Sequence, residues 1–387
     1  MNIFVMMHFD VQFPYFPSSA LEQALMLIYF ILFIIQMIYF WGLFSKLAFF
    51  RKKQEVESGE PVSVVISARN EYYNLKHNLP LLFEQEYPEF EIVVVNDNSQ
   101  DESLELLEDM AREHKNLKIV NLNQDLNFFH GKKFPLSLGI KSASYDIILL
   151  TDADCHPVSR QWIRNMAGRF RGEKDIVLGY GAYERRGGLI NLIIRHETLW
   201  TAIHYLSFAL AGKAYMGVGR NMAYRKALFY KNKGFSAHYT VASGDDDLFI
   251  NSVATKNNVA IEIEHGSHTK SVPKTSLAEW VKQKRRHFTT WRYYRRKFKW
   301  LLGLWSFSQA FFLLLFVLLI VLKYNLIITL SVFFVRIVSY LLITKLCMKR
   351  LNEKELFVFS PIAELFLVVF YPLLSLVNTI SKPDKWK

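Results

Sequence analysis

Apolar residues collect at the two ends of the 387-residue chain, and between them polar and apolar positions alternate in short blocks. Ala24 to Phe44 runs 21 residues without a charge, interrupted chiefly by Gln36. About 20 apolar residues suffice for a helix to cross a bilayer. Leu301 to Leu322 is a second uncharged run, and Leu326 to Thr344 is a third that contains Arg336. Phe357 to Ile380 is a fourth, broken by Pro361, Glu364 and Pro372. The first three predict membrane spans. The fourth predicts a span or else an interfacial or re-entrant helix. The first run reads as an uncleaved anchor, because residues 1–45 hold no Lys or Arg and the run is long for a signal peptide.

From about residue 55 to 300 the pattern changes. Short β-branched runs, Val62 to Ser67, Glu91 to Val95, Lys118 to Leu122 and Ile147 to Leu150, predict strands. Between them Glu71 to Glu86, Asp101 to His114 and Lys133 to Ser142 predict helices, with Pro135 confined to a first turn. Such alternation predicts a mostly parallel, Rossmann-like α/β sheet covered on both faces. Ligands bind such sheets beyond the carboxyl ends of the strands. Leu189 to Leu210 is a further apolar stretch, broken by Arg195, His196, Glu197 and His204. Charge at its centre argues against a membrane span. It predicts an amphipathic helix at the membrane boundary, or alternatively a buried core helix. The expected organisation is an N-terminal anchor over 1–50, an α/β domain over 51–300, and two to three C-terminal transmembrane helices over 301–387.

Charge sharpens the picture. The formal net charge is +12, and nine Lys or Arg residues fall within 280–299. That stretch leads straight into an apolar run, so it is read as meeting anionic lipid headgroups rather than nucleic acid. Arg51, Lys52 and Lys53 follow the first run, and Lys345, Lys349, Arg350 and Lys354 follow the third. Positive flanks favour the cytoplasmic side, which predicts a multi-pass protein of the cell (inner) membrane with its central domain in the cytoplasm. Lys382, Lys385 and Lys387 in the tail fit that rule poorly if the fourth run crosses. Arg336 and Glu364 each lie 14 residues from Arg350, so in a helical hairpin they fall at similar depth. Intramembrane charges pair or line cavities, and these two are predicted to face each other. Cys155 and Cys347 are the only cysteines, which excludes a disulfide framework or zinc spacing.

Two acidic clusters fall at predicted strand ends, Asp97 after the second strand and Asp152 with Asp154 after the fourth. In an extended segment alternate side chains point the same way. Asp152 and Asp154 would thus offer two hard oxygens on one side of Ala153, a donor set suited to Mg²⁺ or Mn²⁺. Cys155 reads as packing. A third cluster, Asp245 to Asp247, reads as an acidic loop or helix N-terminus, where negative charge is favoured.

Taken in order, the motifs VSVVISARNE (from Val62), VVVNDNSQDES (from Val93), GKKFPLSLGIKSASYDIILLTDADC (from Gly131), GVGRNMAYRKALF (from Gly217), SGDDDLF (from Ser243) and QKRRH (from Gln283) resemble those of the family 2 glycosyltransferases with the GT-A fold, of the membrane-anchored bacterial type. The resemblance covers about Pro61 to Trp291. It implies nucleotide-sugar binding by Ala68, Arg69, Glu71, Asp97, Lys132 and Asp152, with Asp97 at the base. It implies metal at Asp154 with Asp152, and a general base at Asp245, with Asp246 the neighbouring register. It places Gln283, Arg286 and His287 beside the diphosphate and acceptor. Asn96 stands where a first Asp is usual, Ser67 replaces a Pro, Gly244 replaces a Glu, and His287 replaces a Trp. The implied reaction is metal-assisted, inverting transfer of a hexosyl or N-acetylhexosaminyl unit, from a UDP-sugar first of all, to a lipid-linked or glycan acceptor. A processive polysaccharide synthase, a non-catalytic membrane scaffold and a nucleotidyltransferase are the competing readings.

Overall fold

A computed structural model describes residues 19–51, 59–123, 131–241 and 243–381. Lys52, Lys53, Lys382, Lys385 and Lys387, which carry part of the orientation argument, lie outside the described residues.

The strands are β1 (Val62–Ala68), β2 (Phe90–Asp97), β3 (Leu117–Leu122), β4 (Ile147–Leu150), β5 (Cys155–Pro157), β6 (Ile176–Leu178), β7 (Gly181–Tyr183), β8 (Met222–Arg225), β9 (Val259–Ile261) and β10 (Thr269–Ser271). Seven of them form one sheet in the order β3-β2-β1-β4-β8-β6-β9, and β5-β10-β7 form a second. In the large sheet only β8 runs antiparallel to its neighbours β4 and β6. The four predicted strands are its parallel half, β1 to β4. Val62, Val64, Val65, Ile92 to Val95 and Ile147 to Leu150 are buried, as expected for strands covered on both faces.

The helices are α1 (Ala20–Met37), α2 (Ser45–Ala48), α3 (Tyr72–Phe83), α4 (Ser103–Glu113), α5 (Lys133–Ser142), α6 (Trp162–Ala167), α7 (Leu189–Leu210), α8 (Lys226–Lys231), α9 (Asp247–Val253), α10 (Leu277–Phe288), α11 (Arg296–Val321), α12 (Leu326–Arg350) and α13 (Ser360–Ile380). A π-helical segment, Ile38–Phe44, joins α1 to α2. The chain enters α1 through a capping box in which Ser19 Oγ accepts from the Glu22 amide and the Glu22 carboxylate accepts from the Ser19 amide. Helix α5 packs closely on β1 and β2 because Gly139 faces them. A Cβ there would come within 2.6 Å of Val65 and 2.8 Å of Val95.

Four helical stretches, Ala20–Ala48, α11, α12 and α13, are long and apolar enough to cross a membrane. Arg336 and Glu364 meet as the sequence predicts. Arg336 donates through Nη1 to Glu364 Oε2 at 2.8 Å and through Nη2 to Glu364 Oε1, and its Nε donates to Gln36 Oε1 at 2.8 Å. Gln309 Nε2 completes the layer on Glu364 Oε1 at 2.7 Å. One polar residue from each stretch thus forms a single buried network.

Helix α13 carries its polar contacts at Glu364, Tyr371 and Asn378, seven residues apart. The last two reach the α/β domain. The Tyr371 hydroxyl donates to Glu197 Oε1 at 2.6 Å, and Arg285 Nε donates to Asn378 Oδ1 at 3.0 Å. The opposite face exposes the apolar residues Ile362, Leu365, Val369, Leu373, Leu376 and Ile380.

Helix α7 corrects the amphipathic expectation. It has the predicted bounds, but Arg195, His196, Glu197 and His204 are all buried. Arg195 is paired with Glu353 and Glu355 of the segment between α12 and α13, and Glu197 is paired with Lys284 of α10. His204 lies against Phe44, Trp200 and Trp305. The helix is the seam between the sheet domain and the apolar helices, and its charges are satisfied inside it.

Candidate active site

One cleft of about 500 Å³ lies at the carboxyl edge of the large sheet. Among the residues singled out from the sequence, Arg69, Glu71, Asp97, Lys132, Asp152, Asp154, Asp245, Asp246, Gln283, Arg286 and His287 all line it. Ala68 does not. It ends β1 with its side chain in the core, 1% exposed.

Local hydrogen bonds explain how the loops after β1 and β2 hold their shape. Asn70 and Asn98 both take left-handed backbone, a conformation that Asn tolerates. The Asn70 amide donates to Ser99 Oγ at 3.0 Å, and the Gln100 amide donates to Asn70 Oδ1 at 2.7 Å. The Glu71 amide donates to Ser103 Oγ and the Tyr72 amide to Asp101 Oδ2, both at 3.1 Å. The laced loops set Arg69 3.9 Å from Asp97. Asn96, in place of an expected Asp, is buried and donates to Asn121 Oδ1 at 2.8 Å, so it ties β2 to β3.

Lys132, at the start of α5, is ion-paired with Asp152. Burial works against its charge, but Asp152, Asp245 and Asp246 outweigh it and hold the ammonium pKa above its ordinary value. Asp154 opens on the cleft while protein crowds it from behind. That desolvation, and then the like charge of Asp152, raise its pKa. Ligand atoms of Asp152, Asp154 and Cys155 lie within 4.8 Å of one another. Two carboxylates that repel each other at one edge of a cleft are a site that a divalent cation relieves, and their hard oxygens fit Mg²⁺ or Mn²⁺. Cys155 is buried, its thiol pKa is raised by that burial, and it donates to Asp154 Oδ1 at 3.3 Å. A protonated thiol is a poor ligand for a hard ion.

The three consecutive aspartates have three different surroundings. Asp245 faces the cleft. Asp246 caps α9, accepting from the Gly219 amide at 2.9 Å and the Asp247 amide at 2.7 Å. Asp247 is buried and accepts from Tyr294 Oη at 2.7 Å and from Thr290 Oγ1. Gly244 explains its own departure from the expected Glu. Its φ is +100°, and a Cβ there would come within 2.5 Å of Leu248.

Burial, then the charges of Asp245 and Asp247, push the Asp246 pKa up to about 8. An unfolded Asp titrates near 4. Between those values the folded chain keeps a proton that the unfolded chain has lost, so this contribution is full below about pH 4 and is lost as pH rises to about 8. Asp246→Asn should therefore flatten the fall in thermal midpoint from about pH 5 to about pH 8. A variant that keeps the wild-type slope would refute the assignment.

Helix α10 presents Gln283, Arg286 and His287 on one side, at i, i+3 and i+4. Its N-terminus is capped by Ser276 Oγ, which accepts from the Glu279 amide at 3.2 Å. Burial lowers the Arg286 pKa, opposed first by Asp245 and then by Asp152. Desolvation, reinforced by Lys284, Arg286 and Arg220, lowers the His287 pKa, and the side chain lines the cleft. Sequence reasoning missed Arg220, which lines the cleft with its guanidinium carbon 4.5 Å from the centre of the Tyr183 ring. It also missed Glu197, Thr198, Lys284 and Tyr371. Arg220 lay inside a quoted motif, and a cation next to Gly219 was the available signal. Asn221 is buried and donates to the carbonyls of Tyr180 and Ser267, so it is a clamp between the sheets.

A mostly parallel sheet with a carboxylate-rich cleft at its carboxyl edge defines a GT-A-type domain. Residues 63–232 match the model of glycosyl transferase family 2, so this segment carries a domain similar to that family. It is 35% identical over 102 residues to a poly-β-1,6-N-acetyl-D-glucosamine synthase of Staphylococcus epidermidis, covering 26% of this chain and 24% of that protein. It is 24% identical over 249 residues to a glycosyltransferase of Haemophilus influenzae, covering 61% and 75% of the two chains. The first of these matches spans about a quarter of its relative's length. The fold is similar to that of a mannosyltransferase, PcManGT, of Pyrobaculum calidifontis solved with GDP-Man and Mn²⁺. The TM-score is 0.55 at 16% identity, over 89% of this chain and 99% of that one.

Proposed function

We propose that this cleft transfers a sugar from a nucleotide-sugar, a UDP-sugar first of all, to a lipid-linked or glycan acceptor presented at the membrane, with inversion at the anomeric carbon. The observation that carries the reading is the convergence of Asp245, Lys132 and Arg286 with the Asp152–Asp154 pair in one cleft. Arg69, Glu71 and Asp97 hold the nucleoside. Asp245 accepts the proton of the acceptor hydroxyl as its oxygen bonds to the anomeric carbon and the bond to the diphosphate breaks. Lys132 and Arg286 stabilise the departing diphosphate. Asp154, with Asp152, would hold Mg²⁺ or Mn²⁺, which would neutralise the same leaving group. Asp246 and Asp247 position the loop rather than react.

The cationic ends of the apolar stretches, Arg51, Arg295, Arg296, Lys349 and Arg350, support a cytoplasmic position for the domain. Helix α13 is tied to α7 and α10 along its second half, so it lies against the domain at the bilayer edge and its C-terminus stays on the domain's face. Ser381→Cys should react with a membrane-impermeant maleimide in inverted vesicles and be shielded in right-side-out ones. The reverse pattern would show that α13 crosses.

The transfer itself is tested by proton NMR of the product formed from an α-linked donor. A β-linked product, abolished by chelator and by Asp154→Ala, is expected. Retention of configuration, or full activity in chelator, would contradict the reading.

A further inference from the structure

The cleft continues past the aspartate cluster to a second end, walled by Glu197, Thr198 and Thr201 of α7, Lys284 of α10, and Tyr371 and Leu374 of α13. No role in donor binding accounts for these residues. Glu197 is 2% exposed and is ion-paired with Lys284. It also accepts from Tyr371 Oη at 2.6 Å and from Thr201 Oγ1 at 3.1 Å. Burial opposes its charge, but Lys284 and these hydroxyls outweigh it and keep the carboxylate pKa low. Lys284 is therefore neutralised in place. An anionic headgroup entering here would meet a carboxylate and no free ammonium.

Two polar atoms on this wall have no protein partner. Thr198 Oγ1 is one, on a residue 6% exposed, and Gln283 Oε1 is the other. A buried hydroxyl or amide left unpaired costs roughly 1–3 kcal/mol, so such groups mark places where a ligand completes the hydrogen bonding. Their neighbours Phe288, Trp291 and Leu374 are apolar or aromatic. Uncharged hydrogen-bonding groups set among apolar and aromatic faces suit a ring that carries neutral hydroxyls. They do not suit a phosphate.

Resting on the transferase reading above, we propose that this end of the cleft is a subsite for a neutral glycosyl unit of the acceptor, recognised by Thr198 beside the Glu197–Lys284–Tyr371 cluster. The acceptor is then the sugar head of a glycolipid, not a lipid phosphate. Its alkyl chain leaves past Leu374 of α13.

The test uses the full chain in lipid nanodiscs with its turnover donor. Octyl β-glucoside, octyl β-N-acetylglucosaminide and octyl β-maltoside, below their micelle concentrations, are compared with farnesyl phosphate as acceptors. A glycoside should stimulate nucleotide release and carry the transferred sugar, and farnesyl phosphate should not. Thr198→Val should raise the acceptor KM about 3- to 10-fold with a much smaller change in donor KM, and Thr198→Ser should restore it. Glycosylation of farnesyl phosphate in preference to the glycosides, or a wild-type acceptor KM in Thr198→Val, overturns the subsite while leaving the transferase intact. Loss of all donor turnover in the wild-type chain removes both.

Discussion

Asp245→Asn should lower sugar transfer about 10²- to 10⁴-fold, the usual contribution of a general base, while the protein folds and binds donor. The prediction separates Asp245 from its two neighbours. Asp247 is buried and committed to Thr290, Tyr294 and the start of α9. Asp246 is committed to the amides of Gly219 and Asp247. Both are acceptors for groups that need them, and neither has an oxygen free to take a proton from an acceptor without undoing the loop. Asp245 carries no such duty and opens on the cleft near Lys132 and Arg286. Asp247→Asn should instead lose roughly 1–3 kcal/mol of stability. A thermal unfolding curve beside a single-turnover rate tells these outcomes apart. If Asp247→Asn lost transfer at wild-type stability while Asp245→Asn stayed active, the base would be Asp247.

Removing either Arg336 or Glu364 alone should cost about 3–5 kcal/mol, because each leaves the other as an unpaired buried charge. Arg336 is 1% exposed and Glu364 5% exposed, with Gln36 and Gln309 in the same network. Arg336→Leu and Glu364→Leu should each yield little folded protein from membranes. The exchange Arg336→Glu with Glu364→Arg should recover part of it, since the pair keeps opposite charge but loses its geometry to the two glutamines. Size-exclusion profiles in detergent read the result. Single variants with wild-type profiles would show that the pair carries no stability.

This pair also shows what the sequence makes legible. Two charges at equal distance from a predicted loop define a contact by depth alone, and the structure pairs them. The parallel half of the sheet was legible because β1 to β4 carry short β-branched or aliphatic runs that alternate with helix-like stretches. The antiparallel β8 and the short strands β5 to β7, β9 and β10 were not, since three or four residues carry too little period to be read. The half of the cleft that holds Arg69, Asp97, Asp152 and Asp154 lies on loops directly after β1, β2 and β4, so strand prediction led to it. The other half is assembled from α7, α10 and α13. Arg195 and Glu197 look solvent-seeking in the sequence, and only Glu353, Lys284 and Tyr371, remote in sequence, make them interior residues. Nothing local in α7 announces those partners.

The most direct measurement is nucleotide release by purified full-length protein across a panel of nucleotide-sugars, with Mn²⁺, Mg²⁺ or chelator and crude membrane lipid as acceptor, beside Asp154→Ala and Asp245→Asn. Metal-dependent release from one donor, lost in both variants, is the predicted result. Release that survives both substitutions, or no release from any donor, would contradict it.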